Sequence, residues 1–301
     1  MTPVMHRKSP GLLAELLHDG FAEAKIVRKW RCAPQVMGLA LELVGGKEAF
    51  IRNGFVPGQW IDYYIPEIDS VGGYSLTSSP LELPTFTLAV KKSNWKPAAW
   101  VHEKTEVNQR VFVKPGGNFA WDAAETPRHA LMLAGGIGVT PFVSMLQHLS
   151  LHRQRCSGQH AASRIALIHS VRHGEHTGPW SSFDAESRFA MVIFNRYRMS
   201  WHGPGLEAQL DDIASSMPQH VSYHLHHTDG TGAGRINKKT IQGALACLRK
   251  AGNSNKSANE FTHDPAVVSY LCGPPDFLDA SEAALLDLGF ARGSVLTERW
   301  F

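Results

Sequence analysis

Three short stretches carry the residue types that could do chemistry. In LAGGIGVTP, residues 133–141, Gly135, Gly136 and Gly138 follow the apolar run ALMLA and lead into an apolar stripe of helical spacing, Phe142, Met145, Leu146 and Leu149. Glycines at such a turn let the backbone approach a diphosphate, and the helix N-terminus adds unpaired N–H groups and the positive end of a dipole. Thr140 can cap that helix, and Pro141 sits at its first position, where no donor is lost. A second run, AVVSYLC, ends in Cys272-Gly273 before Pro274 and Pro275 open another helix. Two turns of this kind belong at the carboxyl edge of one parallel sheet, where open α/β sheets bind ligands. The third stretch, VGGYSLTSSP from Val71 to Pro80, sets a Tyr-Ser pair among further hydroxyls, with two glycines in front. The plain alternatives are a tight turn for the first stretch and a buried strand-end thiol for Cys272.

The elements that must position these residues change rhythm partway along the chain. From Phe21 to about Ala123, AKIVRKW, GLALELV, QWIDYYI, TFTLAV and RVFVK read as short strands between Pro/Gly-rich turns. Trp60, Asp62 and Tyr64 alternate there with Ile61, Tyr63 and Ile65. After TPRH, buried-strand runs (ALMLA, RIALIHSV, HVSYHLHH, AVVSYLC) alternate with helical ones (LEAQLDDIASSM, KKTIQGALACLRK, and PPDFLDASEAALLDLG, which Gly289 ends). The expected architecture is an N-terminal antiparallel β-barrel over 21–124 followed by a C-terminal α/β doubly wound parallel sheet over 127–301. Residues 1–20, with Arg7 and Lys8 and no acid before Glu15, read as a tail or a short organellar presequence. The connection around 174–205 is too long for one loop and reads as an insertion, its core AMVIFNRYRM an extra strand or hairpin; 251–264 is a polar loop.

Bulk properties exclude several classes. A length of 301 residues suits about two domains. A formal charge of +3 with no dense Lys/Arg block argues against nucleic acid. No apolar run reaches the ~18 residues of a membrane span. Cys32, Cys156, Cys247 and Cys272 are scattered without a CxxC, which speaks against an iron–sulfur cluster or a disulfide framework and for free thiols in a reducing compartment. His224 and His226 share a strand face without the acids or cysteines of a metal site. Ser79 and Ser144 lack a nucleophile elbow, and Trp95 and Trp100 could form an aromatic patch for a partner, with strand-core packing the default.

FVPGQW (55–60), YSLTSSP (74–80), GGIGVTP (135–141), LCGPPDF (271–277) and ERWF (298–301), in that order, resemble the ferredoxin–NADP reductase superfamily across about residues 21–301. Within it, VGGYSLTSSP, PAAWVH and the final ERWF look most like the oxidoreductase NAD-binding domain-containing protein 1 family. The resemblance implies a flavin barrel, a nicotinamide-nucleotide domain and a hydride path between them. It implies that Tyr74 packs on the flavin, that Ser75 hydrogen-bonds the isoalloxazine N5, and that Thr77 joins the flavin site. Gly135, Gly136, Ile137, Gly138, Val139, Thr140 and Pro141 would cradle the NAD(P) diphosphate, with Thr140 near the nicotinamide. Cys272 and Gly273, followed by Pro274, would flank the nicotinamide C4, with Glu298 nearby, and Trp300 would cover the flavin or the nicotinamide pocket. Ser75, Cys272 and Glu298 are thus the expected catalytic set.

This sequence departs from that pattern on the phosphate side. Gly72 stands where the superfamily has an arginine for the flavin phosphate, and Ala98 falls near its second anchor, a serine. Losing both removes charge-assisted bonds of ~1.5–3 kcal/mol each. Lys91, Lys92 or Lys96 could act instead as point charges, or simply solvate a surface. Arg172 sits where a 2′-phosphate or the adenosine ribose would lie, with Arg235 to assist, a lean towards NADP over NAD; either arginine could equally be a solvated loop charge. The expected function is a flavin-dependent NAD(P)H oxidoreductase using FAD and passing electrons to a separate acceptor, protein or small molecule. The alternative is a nucleotide-binding or scaffold protein that keeps the fold without redox turnover. The family resemblance implies a mitochondrial location, and otherwise a cytoplasmic one.

Overall fold

The computed structural model describes residues 16–46, 50, 54–121, 129–155, 164–172, 205–228, 235–250, 262 and 267–299. Residues 1–15, the insertion around 174–205, nearly all of 251–264 and Trp300 lie outside the described residues. Six antiparallel strands form the first sheet: β1 (Ala22–Ala33), β2 (Val36–Leu43), β3 (Trp60–Ile65), β4 (Ser70–Ser75), β5 (Thr85–Lys91) and β6 (Arg110–Gly116), in the order β4-β3-β6-β1-β2-β5. A bridge from Leu76 to Leu88 brings the end of β4 against β5, so the two edges of the sheet meet and the barrel closes. Closure removes the unpaired edges that an open sheet would expose. Alternation holds on β3, where Ile61, Tyr63 and Ile65 are buried and Trp60 and Asp62 half-buried, although Tyr64 is also covered.

One element in this half went unforeseen. Lys96–Glu103 is a helix, α1, with Pro97 in its first turn and Ala98, Trp100 and Val101 buried against the barrel. Trp100 therefore packs in the barrel core from a helix and not a strand. Trp95, at the N-cap, is 62% exposed, contrary to the expectation that it packs in the core.

The second sheet is wholly parallel: β7 (His129–Gly135), β8 (Ile165–Val171), β9 (Val221–His227), β10 (Val267–Gly273) and β11 (Val295–Arg299), in the order β11-β10-β7-β8-β9. The chain goes one way from β7 to β9 and the other way from β10 to β11, so the topological switch lies between β7 and β10. Helices α2 (Thr140–Arg155) and α3 (Leu206–Ser216) cover one face, α4 (Lys238–Lys250) and α5 (Pro275–Asp287) the other. This is the doubly wound arrangement expected.

The two sheets share a core. Cys32, Ala33, Val36, Ala89, Phe119 and Trp121 of the first half pack in one cluster with Met132, Phe142, Met145 and Tyr270 of the second. Phe119 meets Phe142 and Tyr270 edge-on, at centroid distances of 5.8 and 5.5 Å. Ser144 Oγ donates to the Ser78 carbonyl (2.7 Å) and accepts from the Gly58 N–H (3.3 Å). Ser79 Oγ and His148 Nδ1 share a hydrogen bond of 2.9 Å. Ser79 and Ser144 are thus buried structural groups that hold α2 to the barrel.

Candidate functional site

A cavity of about 900 Å³ opens between the two sheets. On one side it is lined by the carboxyl ends of β7, β8 and β10, the edge where a doubly wound sheet switches strand order. Gly73, Tyr74 and Ser75 of β4, Ala89 and Lys91 of β5, and Ala98 of α1 form the other side.

The side formed by the parallel sheet is a tight glycine cradle. A Cβ on Gly138 would lie 2.3 Å from the Cys272 carbonyl oxygen and 2.7 Å from the Gly273 nitrogen, so only glycine lets the turn cross the end of β10. Gly135 and Gly273 face each other on neighbouring strands, and a Cβ on Gly273 would come within 3.0 Å of the Gly135 backbone. Gly136, at φ 55°, starts a 3-10 turn over Gly136–Val139 that runs straight into α2. Thr140 does not cap α2 as expected. It is the first helical residue, and its hydroxyl donates to the Ile137 carbonyl at 2.9 Å, tying the turn to the helix start.

The barrel side differs. A Cβ on Gly72 would meet Tyr74 Cε2 at 2.7 Å, Tyr74 Oη at 2.8 Å and Pro97 Cβ at 2.9 Å. Tyr74 therefore lies back over Gly72, edge-on to Tyr63 at 5.9 Å, and fills the space an arginine side chain would need. The Tyr63 and Tyr74 hydroxyls are buried without hydrogen-bond partners among the described residues, and burial raises both phenol pKa values. An unpartnered buried hydroxyl costs about 1–3 kcal/mol. Tyr74 thus stands at the cavity wall as a polar group lacking a mate.

Electrostatically the cavity is cationic. Lys91, Lys92, Arg172 and Arg235 line it, against a single carboxylate among the described lining residues, Asp276. Such a balance suits a phosphorylated ligand. Lys96 is turned elsewhere, its Nζ donating to the Ile68 carbonyl at 2.7 Å.

Of the expected site residues, Tyr74, Ser75, Lys91, Gly135, Gly136, Ile137, Gly138, Thr140, Arg172, Gly273 and Pro274 all line this cavity. Others stand behind it. Thr77 is buried, its hydroxyl 2.7 Å from that of Thr87, and Val139 and Pro141 pack in the turn and first helical residues. Cys272 is fully buried, paired in register with Ala134 on one flank and Glu298 on the other, and Glu298 is itself buried on β11. Trp300 lies outside the described residues. Sequence reading missed Trp95 at the cavity rim and Phe277 of α5, which packs against Gly135 and Gly273. The second was legible in principle, since a bulky residue just after Gly273 needs glycine opposite it. Among the described residues no group of histidines, cysteines or acids could hold a metal ion.

Six antiparallel strands closed against a five-stranded parallel sheet, with a cationic cavity at the switch point, define the fold of the ferredoxin–NADP reductase-like flavoprotein reductases. The chain is 19% identical to the cytochrome b5 reductase domain of Ulva prolifera nitrate reductase, at TM-score 0.62, with 92% of this chain and 97% of that one covered. It is 18% identical to a ferredoxin NADP+ reductase from Neisseria gonorrhoeae with bound FAD and NADP, at TM-score 0.60, with 94% and 99% covered. By sequence it is 28% identical over 255 residues to Oxidoreductase NAD-binding domain-containing protein 1 of Danio rerio, covering 82% of each chain. No protein-family model matches the chain. The sequence relatives are oxidoreductases by name, and no helix among the described residues is long and apolar enough to cross a membrane.

Proposed function

We propose that this chain is a flavin-dependent NAD(P)H oxidoreductase, with residues 21–124 as the flavin-binding unit and 127–301 as the nicotinamide-nucleotide unit. The observation that carries the reading is the cavity lined jointly by the glycine cradle and by Tyr74-Ser75. The residues present suit the nucleotide on that side, because the glycine turn opens α2 at the cavity edge and Arg172 and Arg235 line the same cavity. On the barrel side they fit the ring part of a flavin, since Ser75 and the Tyr74 ring stand at the same wall of the cavity. A flavin held there would supply the hydride-accepting chemistry that links reduced nicotinamide to an acceptor taking electrons singly or in pairs.

The protein's own part is alignment and exclusion of water. Ser75 is the group of the expected catalytic set that faces the cavity. Cys272 and Glu298 hold the β10–β11 edge directly behind it. Lys91 and Lys92 take over from the missing arginine as the barrel's cations, and Arg172 with Arg235 favours a 2′-phosphate, hence NADP. The acceptor is a separate protein or small molecule, and the mitochondrial location implied by resemblance belongs to this reading. Flavin bands in the purified protein, bleached by NADPH without oxygen, are the expected result. A colourless protein that shows no FAD quench or thermal shift would overturn the flavin, and equal kcat/KM for NADH and NADPH would overturn the NADP preference.

A second reading, a nucleotide-binding protein without redox turnover, is favoured by one observation. Tyr74 and Pro97 fill the place of the usual phosphate anchor, and Ala98 is buried where its partner would be. NADPH binding without any flavin bleaching would decide for it.

A further inference from the structure

Beneath the glycine turn lies a histidine that no motif singles out. His169, on β8, is 1% exposed. Its Nε2 is 2.9 Å from the Gly136 carbonyl oxygen, and its Nδ1 is 3.2 Å from the Tyr223 hydroxyl on β9. A carbonyl can only accept, so Nε2 carries the proton. In that tautomer Nδ1 accepts from the Tyr223 hydroxyl. One tautomer satisfies both contacts. The void of about 10 Å³ beside the ring is walled by Cys32, Ala33, Val36, Leu206 and Glu207, so no lysine or arginine faces it there. Burial pushes the Cys32 thiol up to about 12 and the Glu207 carboxyl up to about 7, favouring the uncharged form of each.

The bond matters because of what it fixes. The C=O of Gly136 and the N–H of Ile137 belong to one planar trans peptide and point in opposite directions. Drawing the carbonyl down onto His169 turns the Ile137 N–H away from the core, and both Gly136 and Ile137 line the cavity. Gly136, at φ 55°, can flip this peptide at little steric cost, and the bond from His169 adds to the turn's own hydrogen bonds in favouring one orientation. We propose that His169 is a positioning residue that locks the Gly136–Ile137 peptide with its N–H towards the cavity, where it meets a phosphate oxygen of the nicotinamide nucleotide. This rests on the nucleotide reading given above.

Binding and turn order test it separately. His169→Leu should raise the Kd for NADPH about tenfold, read by tryptophan quenching, with His169→Gln within about threefold of wild type because its amide can still donate. In ligand-free protein, hydrogen exchange at residues 136–140 should speed up in His169→Leu while β7 and β8 stay protected. Wild-type affinity together with unchanged exchange would overturn the proposal. If wild-type protein itself fails to bind NADPH, the nucleotide reading falls, and exchange still decides the positioning role. Should His169→Leu not fold, two measurements remain. Tyr223→Phe should weaken NADPH binding by about two- to fivefold, and an unchanged Kd would oppose the proposal. Nitrogen-15 spectra of wild-type protein should show His169 protonated at Nε2 alone, and an Nδ1–H tautomer would overturn it.

Discussion

The two walls of the cavity use glycine for opposite purposes. At Gly138 the missing Cβ makes room for the backbone of another strand, the Cys272–Gly273 peptide. At Gly72 it makes room for a side chain of its own strand, the Tyr74 ring, with Pro97 behind. The first arrangement packs the glycine turn against the end of β10 at the cavity edge. The second fills the space beside β4 that a longer side chain at position 72 would need. A glycine in such a segment thus marks the close approach of either backbone or a side chain, and only its neighbours tell which.

Breaking the first wall should cost most. Gly138→Ala forces a Cβ onto backbone that cannot swing aside, so we expect a loss of about 3 kcal/mol in urea unfolding, together with loss of NADPH binding. Gly72→Arg should cost less, about 2 kcal/mol, because the obstacle is a side chain that can rotate. Adding Tyr74→Ala should recover at least about 1 kcal/mol of that, read as a double-mutant coupling. Equal, uncoupled costs at the two glycines would remove the distinction between the walls.

Smaller effects sharpen the same contrast. Arg172→Ala and Arg235→Ala should each raise the Kd for NADPH about tenfold and leave NADH within about twofold, as expected for exposed charge-assisted phosphate contacts. Behind the nucleotide wall, burial and then Asp211 raise the Glu207 carboxyl from 4.5 to about 7. The folded protein therefore holds that proton more tightly than the unfolded chain, and stability falls as pH climbs from 4.5 to 7. Because Glu207 keeps contact with solvent, the loss is discounted to about 1 kcal/mol. Glu207→Gln should remove it, so thermal unfolding of the variant should exceed wild type at pH 8 and match it near pH 4.

Much of this molecule was legible before any coordinates. Period-two alternation gave the barrel strands, buried runs ahead of Gly135 and Gly273 gave the parallel sheet, and the glycine spacing marked the cavity floor. Local signals of this kind survive because strand period and turn chemistry are properties of a few consecutive residues. The helix at Lys96–Glu103 was hidden because PAAWVH is short and carries no side-chain cap. Thr77, Val139 and Cys272 sat inside recognisable motifs, yet they face the core, and a motif does not say which way its side chains turn.

By itself, then, the sequence determined the two kinds of sheet, their order along the chain and the turns at the sheet edge. Tertiary structure decided the rest: that Tyr74 plugs the space beside Gly72, that four cations gather around one cavity, and that His169 lies under Gly136. The reason is distance along the chain. His169 and Gly136 are brought together only when β8 pairs with β7, and no periodicity within either strand records that meeting.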